Sequence, residues 1–104
     1  MIGCGYIGKR HAEMITRDEG AELVALCDIR SERGAGDRLM RSFARNIRLN
    51  VFVSGLDIDV VNICTPNRLH AEMAIQAIES GHHVVIEKPM ALTLADARKW
   101  FIPR

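Results

Sequence analysis

Gly3-Cys4-Gly5-Tyr6-Ile7-Gly8 carries three glycines at the spacing G-x-G-x-x-G, with only Met1 and Ile2 before it. Ile7, His11, Met14 and Ile15 fall on one face of a helix, and Gly20 suits its stop. Leu23 to Cys27 is an unbroken apolar run, the pattern of a strand covered on both faces. Asp28 ends that run, 20 positions after Gly8. Strand stub, glycine turn, amphipathic helix, second strand and terminal acid give the motif a meaning it lacks alone. In such a turn Gly3 permits the tight bend, Gly5 lets a pyrophosphate approach the backbone, and Gly8 lets helix and strand pack closely. Free N–H groups near Tyr6 and Ile7 would hold phosphate oxygens at the helix start. The Asp28 carboxylate can accept hydrogen bonds from ribose hydroxyls, and Arg30 suits an adenine ring or a 2′-phosphate. The plainer alternative is an ordinary glycine turn with Asp28 as a surface acid.

Short apolar runs keep alternating with amphipathic stretches, which is the pattern of βαβ units and a parallel sheet. A helix is expected from Glu32 to about Ala44, with Leu39, Met40 and Phe43 facing in, then a short strand at Val51–Val53. Arg38, Arg41, Arg45 and Arg48 read as a solvated helix face more readily than as a basic patch. Asp59 to Cys64 reads as a strand ended by Thr65-Pro66-Asn67. Leu69, Met73, Ala77 and Ile78 mark a helix stopping at Gly81, and His83 to Ile86 the next strand. Thr93 and Asp96 form a capping-box-like start for a last helix toward Trp100. The expected fold class is α/β, a doubly wound parallel sheet of the Rossmann type, with residues 1–104 as one domain.

Two stretches leave strands at the carboxyl edge of such a sheet, where ligands bind. Thr65-Pro66-Asn67-Arg68-Leu69-His70 opens a helix; Asn67 suits an N-cap and His70 a polar first-turn position, each as readily as a ligand contact. Glu87-Lys88-Pro89 leaves the next strand. Lys88 reads as a surface charge, or as a proton-transfer group or a cation facing a developing oxyanion. His82 and His83 lie at the opposite edge and read as structural; no metal site is expected.

The 104 residues suffice for one domain, and the apolar fraction of 48% is that of a globular core. A net charge of +1 points to no nucleic-acid partner, and no apolar run approaches a membrane span. The amino end lacks the pattern of a secretory signal. Cys4, Cys27 and Cys64 are odd in number and far apart, which suits buried small hydrophobes better than a disulfide framework. A cytoplasmic location is the expectation.

The three motifs in this order resemble the glucose–fructose oxidoreductase / inositol 2-dehydrogenase (Gfo/Idh/MocA) family, over Ile2–Ile15, Glu22–Asp28 and Asp57–Ala97. The resemblance implies an N-terminal Rossmann domain that binds NAD, or less readily NADP, and a second α/β domain that supplies the substrate pocket. It carries the glycine-loop role to Gly3, Gly5 and Gly8, dinucleotide contacts to Thr65, Pro66, Asn67 and His70, and the EKP motif to Glu87, Lys88 and Pro89, with Lys88 near nicotinamide and substrate. The wording of the later strands is similar to nucleotide-sugar 3-dehydrogenases of surface-polysaccharide synthesis. The function it implies is hydride transfer between nicotinamide and a sugar or nucleotide-sugar hydroxyl, by a homo-oligomer when complete. A non-catalytic NAD(H)-binding or regulatory module is the alternative, and a nonfunctional truncated product a weaker one. The family pattern also leads us to expect absent segments before residue 1, near 54–57 and after about 100, and no activity from the 104 residues alone. The first strand is reduced to Met1 and Ile2, which should open the middle of the core. The six residues Ser54 to Asp59 are too few for a parallel crossover, which needs about a dozen.

Overall fold

The computed structural model describes residues 1–28, 40–42 and 56–101. At its centre lies Ile2, a one-residue bridge with parallel neighbours on both sides, Cys27 and Ile63. Its N–H donates to Asn62 O and its carbonyl accepts from Cys64 N–H, both at 2.8 Å. On the other side Cys27 N–H donates to Met1 O at 2.9 Å and Gly3 N–H to Cys27 O at 2.8 Å. The expected opening of the core is therefore corrected: Ile2 is 3% exposed, and the stub supplies the shared partner that its two neighbours need.

Helix α1 spans Tyr6–Arg17, and strand β1 spans Leu26–Asp28 with all three residues buried. Strand β2, Met40–Ser42, pairs in parallel with β1. Strands β3, Val60–Ile63, and β4, His83–Ile86, form a second parallel pair. A 3-10 turn at Asn67–Leu69 leads into α2, His70–Glu79, and α3 covers Leu94–Lys99. With Ile2 as the joint, the strand order is β2–β1–Ile2–β3–β4, all parallel.

Strand β2 corrects the helix expected over Glu32–Ala44 at Met40–Ser42, the part of that span that lies within the described residues. The backbone edge of β1 takes a parallel partner at Met40–Ser42, and these ladder bonds outweigh the helical spacing of Leu39, Met40 and Phe43. Arg41 accordingly sits in a strand rather than on a helix face; Arg30, Arg38, Arg45, Arg48 and the strand expected at Val51–Val53 lie outside the described residues. Helix α1 also ends before Gly20: Asp18 is its C-cap, and Asp18 Oδ1 accepts the Gly20 N–H at 2.7 Å.

One face of the sheet carries the core. Ile2, Cys27, Val61 and Ile63 pack against Ala74 and Ala77 of α2, whose small side chains let the helix approach closely. Met73, Val84, Ile86 and Trp100 close around them. On the other face α1 meets the sheet through buried Gly8, and Met14, Val60 and Val85 remain exposed. Among the described residues no helix is long and apolar enough to cross a membrane.

Candidate functional site

Parallel strands put all their carboxyl ends at one edge, and four segments leave the sheet there. The first is the glycine turn. Gly3 has φ of +91°, and a Cβ on it would lie 2.6 Å from the Cys64 carbonyl. A Cβ on Gly8 would overlap the Gly3 carbonyl oxygen. Glycine at both positions lets α1 begin directly against the ends of the Ile2 bridge and β3. Gly5 is the N-cap of α1, with no side chain capping it and no acidic residue in its first turn. The first backbone bond of the helix is Lys9 N–H to Gly5 O, so the N–H groups of Tyr6, Ile7 and Gly8 have no helical acceptor. That is an anion-receptive end, and the close glycine packing around it fits a dinucleotide pyrophosphate.

Asp28, at the end of β1, is 5% exposed. Its Oδ2 accepts the Cys4 N–H at 2.8 Å, bracing the glycine turn from the neighbouring strand. Its spacing from Gly8 suggests a ribose acceptor; the brace is not readable from that spacing, because parallel neighbours at one edge appear only once the sheet is built. Cys4, Cys27 and Cys64 are buried, as expected. Burial pushes Cys27 up to about 12 and Cys64 up to about 11.

The third segment leaves β3. Thr65 is half-buried with Oγ1 3.5 Å from Met73 Sδ, while Pro66 and Asn67 are exposed. Pro66, not Asn67, is the N-cap of the 3-10 turn. His70 is 1% exposed, and its ring spans two segments: Nδ1 lies 2.7 Å from Pro89 O and Nε2 2.8 Å from Thr65 O. Each ring nitrogen thus faces a backbone carbonyl, and a ring N–H donates to the carbonyl it faces. His70 stands between the two loops that leave β3 and β4 and links them.

The fourth segment is Glu87-Lys88-Pro89, with a cis Lys88–Pro89 peptide and Lys88 exposed. Half-buried Glu87 accepts from His11 Nε2 at 2.6 Å, and His11 Nδ1 faces Asn62 Oδ1 at 3.1 Å. Sequence reasoning gives His11 no role beyond the inner face of α1. Its fixed offset of three from Gly8, on that face, is the signal that places it beside the sheet. Among the described residues no group of three His, Cys, Asp or Glu side chains could hold a metal ion.

Residues 1–101 match the profile of an oxidoreductase family, NAD-binding Rossmann fold, designated GFO_IDH_MocA. The chain is 33% identical to a 1,5-anhydro-D-fructose reductase of Ensifer adhaerens, over 98% of its own length and 31% of that protein's. A crystal structure of the WlbA dehydrogenase from Bordetella pertussis, in complex with NADH and UDP-GlcNAcA, is 34% identical with a TM-score of 0.80, and the match covers 94% of this chain and 30% of that one. Biliverdin reductase from Synechocystis, in complex with biliverdin and NADP+, is 33% identical with a TM-score of 0.80, covering 94% and 31%. The chain thus spans about a third of the length of these relatives. With the uncapped helix end, the glycine packing and the EKP segment at one edge, these matches establish that the chain belongs to the Gfo/Idh/MocA oxidoreductase family, as its NAD-binding Rossmann part.

Proposed function

We propose that the complete protein is an NAD-dependent dehydrogenase or reductase acting on a hydroxyl, or the matching carbonyl, of a sugar or nucleotide sugar. The observation that carries this reading is the meeting of Gly3–Gly8, Asp28, Thr65–His70 and Glu87–Pro89 at one sheet edge through direct contacts. The N–H groups of Tyr6, Ile7 and Gly8 would hold the pyrophosphate, Asp28 would meet the adenosine ribose, and Thr65, Pro66 and Asn67 would line the path toward nicotinamide. Nicotinamide supplies hydride acceptance or donation at C4 when bound. Lys88, exposed at the edge, would take the substrate hydroxyl proton in oxidation and return it in reduction. The sugar class is supported by the compounds that the relatives' names carry, 1,5-anhydro-D-fructose and UDP-GlcNAcA. Self-association of the complete protein belongs to the same reading.

The test is turnover by the complete protein with 1,5-anhydro-D-fructose, UDP-GlcNAcA and biliverdin, monitored by nicotinamide absorbance. Turnover of either sugar compound supports the reading, and turnover of biliverdin alone overturns the sugar class. NAD binding with no turnover of any of them would favour the non-catalytic module. Lys88→Ala should lower kcat by about 10²-fold, the scale of lost acid–base help, with a smaller change in NAD affinity. Activity within a few-fold of the parent would remove Lys88 from proton transfer.

A further inference from the structure

We propose that His11 is a positioning residue, which ties the helix bearing the phosphate-binding turn to Glu87 and thereby fixes Lys88 relative to it. The inference rests on the proposed role of Lys88 for its kinetic consequence, but its geometry stands apart from that role. A carboxylate can only accept, so His11 Nε2–H donates to Glu87 Oε1, at 2.6 Å. Both side chains are partly shielded from water, which strengthens such a bond relative to an exposed pair. At the other ring nitrogen stands Asn62 of β3, so one imidazole touches α1, β3 and the end of β4 together.

The contact matters because Lys88 is the very next residue after Glu87. Glu87 N–H donates to Ile63 O at 3.2 Å, and beyond this bond the chain leaves the sheet as Lys88-Pro89. On the far side of Lys88, the Pro89 carbonyl is held by His70 of α2. Lys88 is thus flanked by two neighbours, each anchored by a histidine from a different helix. The His11 anchor belongs to the helix whose first turn meets the phosphates, so it sets the distance between the cofactor's fixed end and the amine. The packing of α1 itself runs through Gly8 against the Gly3 carbonyl and does not depend on the imidazole. His11 should therefore be dispensable for the phosphate-binding turn and needed for the placement of Lys88.

Three measurements on the complete protein test this, with His11→Ala, His11→Gln and Glu87→Gln: amide hydrogen exchange over residues 86–90, affinity for ADP-ribose, and kcat with whichever of the two sugar compounds is turned over. ADP-ribose carries the adenosine and pyrophosphate of the cofactor without nicotinamide, and exchange needs no substrate. In His11→Ala, exchange over 86–90 should rise several-fold and ADP-ribose affinity should hold. The kcat should fall about 10-fold to 10²-fold, the effect of a misplaced reacting group. His11→Gln, whose amide reaches the same carboxylate, should recover most of both losses. If His11→Ala fails to fold, Glu87→Gln, which keeps an acceptor oxygen but loses the charge, should show a smaller rise in exchange. Unchanged exchange over 86–90 would overturn the proposal. So would a loss of ADP-ribose affinity in step with kcat, which would make His11 a general support of α1, or a glutamine variant as impaired as alanine. Full activity of Lys88→Ala would sink the lysine's chemical role alone, and the exchange and ADP-ribose results would still decide the anchor.

Discussion

Asp28 ends β1 with one carboxylate oxygen accepting the Cys4 N–H, so its negative charge is fixed beside the turn where the cofactor's ribose would sit. A 2′-phosphate brought there meets like charge, and NAD should bind more tightly than NADP by about ten-fold, close to 1.4 kcal/mol. Titration of the complete protein with both cofactors checks this, and equal or tighter binding of NADP would contradict it. Asp28→Asn keeps an acceptor for Cys4 while removing the charge, and should narrow the gap. The buried thiols make a second prediction at this scale. Burial raises Cys27 and Cys64 above their ordinary value of 9.0, so the folded state holds these protons more firmly than the unfolded chain. The stability this supplies is complete below pH 9 and is lost as pH rises toward 11 and 12. Native protein at about pH 8 should resist iodoacetamide, and its urea midpoint should fall between about pH 9 and 11. Rapid alkylation of Cys27 or Cys64 in the native protein under the same conditions would refute the burial argument.

Helix α3 is the element whose sequence and structure agree most closely. Thr93 Oγ1 accepts the Asp96 N–H at 3.0 Å and donates to Asp96 Oδ2 at 2.8 Å, as the spacing of Thr93 and Asp96 predicts. Thr93→Ala should cost about 1 kcal/mol of stability, read by thermal or urea unfolding, whereas Thr93→Ser should cost far less. A loss under a few tenths for alanine would mean the cap is not formed in solution. Strand β4 is equally legible, because a run such as His83–Ile86 between a glycine and a proline has few other readings. Strand β2 is not. Leu39, Met40 and Phe43 fit a helix as local neighbours, and the open edge of β1 that recruits Met40–Ser42 exists only in the assembled sheet. The site divides the same way. The glycine turn and the EKP segment announce themselves by spacing, but the bond from His11 to Glu87 joins residues 76 apart, and nothing local to either names the other.

Among the described residues, α2 covers one side of the sheet, α3 packs against α2, and α1 lies on the other side. Beside α1, a groove of about 390 Å³ runs past Ile7, Met14 and Asn62. The two strand pairs meet only at Ile2 among the described residues. Ile2→Ala should therefore destabilise the fold by about 2–4 kcal/mol, the range for a buried isoleucine that leaves a cavity. Urea unfolding of the complete protein measures it, and a loss below about 1 kcal/mol would show that the Ile2 side chain is not packed in the core, since the substitution leaves the main-chain bonds of the joint in place. Drawn as an electrical network, the sheet has its two halves wired in series through a single junction. Opening that junction interrupts every main-chain route across the sheet among the described residues, so Asp28 and the EKP segment, which lie on opposite sides of it, would lose their common reference in the same event.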